Sequence, residues 1–134
     1  MLKSTTIIFL DSQHEAFYEN NIVKTGSYND PYRKALFYTL GLTEETRRNI
    51  KSLYDNESRC IEFSGLFAGW QTGTSKKVTR LAFNLYSGFL GETGEEETDS
   101  TEGYTPYYLF SCGLMPYMFE AIKLRYPEYA NDFR

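Results

Sequence analysis

Two places in this chain of 134 residues carry residue types that could do chemistry. The first is His14, the single histidine, beside Glu15. An imidazole with a carboxylate partner is a general-base arrangement. Residues at i and i+1 do not face each other on a helix, however, and no Ser or Cys nucleophile is identifiable beside the pair. The spacing therefore predicts a local hydrogen bond for His14 in the first turn of a helix. The second place is Gly69-Trp70-Gln71-Thr72-Gly73-Thr74-Ser75-Lys76, followed by Lys77 and Arg80. Its glycines miss the P-loop spacing and follow no convincing strand. Free amides at a helix start, the helix dipole and three cations would suit an anion. The same residues also obey ordinary helix-start rules, with Thr72, Thr74 and Ser75 as caps and the cations as a wet face.

These residues define the candidate ligand- or partner-binding set: Trp70, Gln71, Thr72, Ser75, Lys76, Arg80 and Asn84. Asn84 follows Arg80 by one helical turn, so the two can share a ligand or bond each other. No catalytic residue is assigned. Metal chemistry fails on inventory, because one histidine and the distant Cys60 and Cys112 cannot close a zinc site. No loop has EF-hand spacing. No metal or other cofactor is expected, and the two cysteines read as buried, reduced thiols of a cytosolic protein.

The elements that position these residues read as helices. Ser12 and Glu15 form a capping-box pattern for a first helix over 12–23. Asp30-Pro31 supplies an N-cap and a proline at the first helical position, and Gly41 closes that second helix. Apolar residues surround most of it, which places it near the middle of the fold. Thr43-Glu44-Glu45 opens a third helix expected to run to Asp55-Asn56. Val78, Leu81, Ala82, Leu85 and Phe89 fall on one narrow face of a fourth, over 74–89, opposite Lys76, Lys77, Arg80, Asn84 and Ser87. Thr105-Pro106 starts a short helix to about Cys112, and Met115-Pro116 starts the last, halted by Pro127. Arg33 and Arg125 each project into an apolar arc, so both are expected to form structural ion pairs or to snorkel.

The expected fold is all-α, a single domain over 1–134 with five or six helices. The alternative is α+β, with a small hairpin around 58–68 and a short strand near residues 4–10. No apolar run is long enough for a membrane span or a secretory signal, so the chain reads as cytoplasmic.

Charge is unevenly placed. Net charge is −4, yet six of the 18 carboxylates lie in 91–103, a stretch without Lys or Arg. The remainder holds 12 carboxylates against 14 cations, a slight positive excess. The 91–103 stretch also lacks aromatic residues and reads as a mobile, solvated surface loop. A sequence pI near 5.0 argues against a strong nucleic-acid binder, although Arg47, Arg48, Lys51, Lys76, Lys77 and Arg80 would make a modest patch if brought together. The chain is rich in aromatics, with 12 Tyr, 10 Phe and one Trp, which suits a core with polar tips and also a binding surface.

Four stretches carry a resemblance. They are Asp30-Pro31-Tyr32-Arg33-Lys34-Ala35-Leu36-Phe37-Tyr38-Thr39-Leu40-Gly41; Gly69-Trp70-Gln71-Thr72-Gly73-Thr74-Ser75; Arg80-Leu81-Ala82-Phe83-Asn84-Leu85-Tyr86; and Pro116-Tyr117 with Glu120-Ala121-Ile122-Lys123-Leu124-Arg125-Tyr126-Pro127. Together they resemble an uncharacterised family of small proteins from Gram-positive bacteria, met on phages and conjugative elements. The resemblance covers roughly His14 to Pro127 and implies genomic context only, without an activity, a cofactor or a catalytic residue. It points to an accessory protein acting inside a host cell. The first expectation is a non-enzymatic protein that binds a host or phage protein, one version being inhibition of a defence nuclease. The others are a nucleic-acid-associated factor, and a small-molecule or nucleotide-modifying enzyme with a cleft at Trp70–Asn84. No membrane partner is expected, and the sequence sets no oligomeric state.

Overall fold

The second helix, α2 (Pro31–Leu40), holds the centre of the computed structural model, which describes residues 6–92 and 99–130. Ala35, Leu36, Phe37, Tyr38 and Leu40 are wholly buried, as the near-continuous apolar circumference of this helix requires. α2 packs against α1 (Ser12–Thr25), α4 (Gly73–Ser87) and α6 (Met115–Arg125). Its start follows the local chemistry. The Asp30 carboxylate accepts from the amides of Tyr32 and Arg33, and Pro31 occupies the first turn.

The remaining helices are short: α3 (Glu44–Arg48), α5 (Pro106–Leu109) and α7 (Pro127–Ala130), with 3₁₀ turns at Ile50–Ser52, Phe63–Phe67 and Thr101–Tyr104. Two two-residue strands, β1 (Tyr54–Asp55) and β2 (Cys60–Ile61), pair antiparallel with Tyr54 opposite Ile61. The fold is thus all-α with one small hairpin. The hairpin lies earlier than 58–68, and residues 6–10 form no strand.

Several boundaries differ for identifiable reasons. The N-cap of α1 is Asp11, not Ser12: Asp11 is extended and its Oδ1 accepts from His14 N at 2.8 Å. The third helix stops at Arg48 because Asn49 leaves helical geometry and turns its side-chain amide back onto the Glu45 carbonyl at 2.8 Å. The chain beyond is committed to the hairpin, where Asp55 caps the turn through Glu57 N and Ser58 Oγ. Pro127 does not simply end α6 but opens α7. That gives seven α-helices among the described residues rather than five or six. Among those residues no helix is long and apolar enough to cross a membrane.

α4 keeps its expected stripe through Leu85 but ends at Ser87, where Gly88 turns left-handed, so Phe89 lies beyond the helix. Val78, Leu81, Ala82 and Leu85 are buried, and Lys76, Lys77 and Asn84 lie toward solvent. Thr72 and Ser75 form a reciprocal capping box, so α4 starts one residue before Thr74. Arg33 makes the expected ion pair, with Asp30 at 2.8 Å. Arg125 does not. Its guanidinium lies 3.8 Å from the centre of the Tyr32 ring and 4.6 Å from that of Tyr126, and its Nε donates to Leu85 O at 2.7 Å. It thereby caps the C-terminal end of α4 and ties it to α2 and α6. The thiols are not both buried, since Cys60 is exposed and Cys112 is half-buried.

Candidate functional site

The stretch from Trp70 to Asn84 is held by bonds within the chain. Gln71 sits at the hub: its Nε2 donates to Gly65 O and Thr79 Oγ1, and its Oε1 accepts from Ser75 Oγ at 2.6 Å. This ties the turn at Phe63–Phe67 onto the first turns of α4. Ser75 is wholly buried in that network, and Trp70 is half-buried against the core. Gln71, Thr72 and Lys76 do meet at a surface cavity of about 370 Å³, bordered also by Leu66, Phe67 and Ala68. Lys76 Nζ stands 5.4 Å from the centre of the Phe67 ring. Arg80 and Asn84 do not join them. Asn84 donates to Phe89 O at 3.1 Å beyond the end of α4, and Arg80 turns to Asp99.

Arg80 and Asp99 form a two-pronged pair, Nε to Oδ2 at 2.8 Å and Nη2 to Oδ1 at 2.9 Å. Tyr104 donates its hydroxyl to the same Oδ2 at 2.9 Å. Burial alone would raise the Asp99 carboxyl, but the bonds from Arg80 and Tyr104 outweigh it and hold the group below the ordinary carboxylate value. The Tyr104 phenol is driven well up by burial and by its bond to Asp99. Gly91, in the left-handed region at φ 98°, gives its carbonyl to Asp99 N at 2.9 Å. A side chain at Gly103 would lie 2.9 Å from the Arg80 guanidinium carbon. The acidic stretch, expected as a solvated loop over 91–103, is therefore packed at its two ends, where Gly91, Asp99, Gly103 and Tyr104 are buried. Residues 93–98 lie outside the described residues.

The cations expected to form a nucleic-acid patch are mostly engaged by the protein itself. Arg47 donates to Gly41 O at 2.8 Å, and Arg48 pairs with Glu44 at 2.7 Å. Lys77 donates to Tyr108 O and Ser111 Oγ, which fastens α5 to α4. Among the described residues no three His, Cys, Asp or Glu side chains converge on a point that would hold a metal ion.

His14 is wholly buried. Its Nδ1 accepts from Leu10 N at 3.0 Å, the expected local bond, and its Nε2 donates to Tyr38 O at 2.8 Å. The second bond links α1 to α2 and was not legible from spacing.

One exposed feature escaped the sequence reading. On α6, Met115 and Phe119 stand one turn apart and are 41% and 49% exposed, while Met118 and Ala121 on the other side are buried. The Phe119 ring meets Phe110 edge-on at 5.6 Å. One turn before Phe110, Tyr107 is 80% exposed and stands against the half-exposed Tyr108. The signal was present: α6 is apolar around more of its surface than one buried face can use, and a four-residue helix cannot bury two adjacent tyrosines.

The chain belongs to a family of unknown function (DUF6075), whose profile matches residues 4–134. No curated protein and no solved structure matches it.

Proposed function

We propose that this protein is a non-enzymatic accessory factor of a phage or other mobile element, acting in the host cytoplasm by binding a host or phage protein. The observation that carries the binding reading is the exposed run of Tyr107, Tyr108, Met115 and Phe119 on α5 and α6. Aromatic residues and methionine are the side chains that protein interfaces favour. Large apolar groups left in water on neighbouring helices mark an interaction surface. The acidic stretch leads directly into α5, so the fitting partner offers an apolar centre with a basic rim. A defence nuclease is one such partner, because its nucleic-acid groove is basic and carboxylates can occupy it.

The mobile-element setting rests on the resemblance carried by the α2, α4 and α6 stretches. The nucleic-acid reading loses support because Arg47, Arg48, Lys77 and Arg80 are engaged within the fold. The enzyme reading keeps a cavity beside Gln71 and Lys76, but Arg80 and Asn84 are turned away from it.

Affinity enrichment from the host cell, read by mass spectrometry, tests the proposal. The wild type is compared with Tyr107→Ser/Phe119→Ser and with Glu95→Gln/Glu96→Gln/Glu97→Gln. The second variant keeps Asp99, so the Arg80 charge keeps its partner. A protein captured by the wild type and lost with both variants supports the reading. Identical captures with all three overturn it.

A further inference from the structure

We propose that His14 is a proton-operated latch for the N-terminal segment 7–10, released in mild acid while the helical core stays folded. Both ring nitrogens are committed in opposite senses: Nε2 donates to Tyr38 O, and Nδ1 accepts from Leu10 N at 3.0 Å. Only the neutral ring can do both. A second proton on Nδ1 would set two N–H donors against each other in a site from which solvent is excluded, since His14 is 0% exposed.

Among the described residues the segment has two further hydrogen bonds, and Ile7, Phe9 and Leu10 pack against the core. Tyr38 donates its hydroxyl to Ile8 O at 2.5 Å, and Ile8 N donates to Glu120 Oε2 at 3.2 Å. Phe9 lays its ring against His14, Tyr18 and Tyr38, with centroids 5.2, 5.5 and 5.8 Å away. Releasing residues 7–10 would open that aromatic floor without breaking a helix.

The ionisable groups around the latch oppose one another. Asp11 at the start of α1 favours the charged ring, and Arg47 on α3 disfavours it. Glu120 on α6, paired with Lys123 at 3.2 Å, faces the segment at Ile8. Tyr18 and Tyr38 stay protonated throughout the acid range, the first pushed up to about 12 by burial. Desolvation is the largest influence on His14 and holds it below the ordinary histidine value, against the raising effect of the bond to Tyr38. The released segment leaves the ring near its ordinary value of about 6.5. Protons therefore favour release from that pH downward, by up to about tenfold per pH unit until the closed ring itself titrates.

The test is amide hydrogen exchange by NMR between pH 7.5 and 5, corrected for intrinsic rates. Protection at Ile8 and Leu10 is expected to fall below about pH 6.5 by up to about tenfold per unit while Leu36–Tyr38 stay protected. In His14→Gln the segment is expected to be open at every pH with no step. In Glu120→Gln the step is expected to persist, which separates His14 from the other acid that touches the segment. A step that survives in His14→Gln or disappears in Glu120→Gln overturns the proposal. So does unchanged wild-type protection, or its loss in parallel with Leu36–Tyr38. Should His14→Gln fail to fold, the wild-type imidazole titration decides: the Leu10 amide must shift with the same midpoint as the ring.

Discussion

The Arg80 guanidinium grips the Asp99 carboxylate from α4 across to the far end of the acidic stretch, with side chains only 19% and 6% exposed. This pair, completed by Tyr104, fixes where the acidic stretch joins the fold. Losing one partner leaves the other charge in a site with little water. Asp99→Asn and Arg80→Met are each expected to cost about 3 kcal/mol, toward the low end for buried pairs because Arg80 keeps some contact with solvent. The double variant is expected to cost clearly less than the two single losses combined. Urea unfolding of the three variants measures this, and additive losses would contradict it.

The same pair sets a pH dependence. Asp99 and Asp30 are both held below their ordinary values: burial opposes ionisation in each, and bonds from Arg80 and Tyr104, or from Arg33, outweigh it. A carboxyl lowered on folding contributes stability that is complete above its unfolded value of about 4 and is lost as pH falls through its folded value. The unfolding midpoint is therefore expected to drop as pH falls below about 4, and less steeply in Asp99→Asn. Denaturant melts across that window check the sign.

Gly41 gives a third prediction. A Cβ there would lie 2.7 Å from His14 Cδ2 and 2.9 Å from Phe17 Cδ2. Gly41→Ala is expected to cost about 1–3 kcal/mol through overpacking, although its backbone angles are open to alanine. A thermal melt indistinguishable from wild type would contradict the packing argument.

Gly41 also shows what the sequence could and could not disclose. Its place at the end of α2 was legible because helix ends are local; its reason was not, because α1 comes to rest on it from 27 residues away. The central position of α2, most of the α4 stripe and the Asp30 and Pro106 starts depend on neighbours within a turn or two, and each emerged from the residues alone; the α4 start was placed a residue late, at Thr74. Asn49 misled the third helix because its side chain rivals the helical ladder only once the hairpin claims Tyr54. In the candidate site, Gln71, Thr72 and Lys76 came together as spacing suggested. Arg80 and Asn84 were drawn off by Asp99, in a stretch that read as a solvated loop, and by the carbonyl of Phe89, which read as helical but lies beyond the end of α4. Arg125, expected to meet an acid, instead lies against two tyrosine faces and donates to a helix-end carbonyl. The exposed stripe of α6 was obscured because its buried and exposed faces are both apolar.

The central claim is that the α5–α6 aromatic surface is where a protein partner docks. A photo-crosslinking phenylalanine analogue at Phe119, with a control at the exposed hairpin residue Glu57, tests this most directly in host cells. The prediction is one discrete crosslinked protein from position 119 that is absent from position 57 and lost when Tyr107→Ser is added. Equal crosslinking from both positions, or none from position 119 in a folded protein, would contradict it.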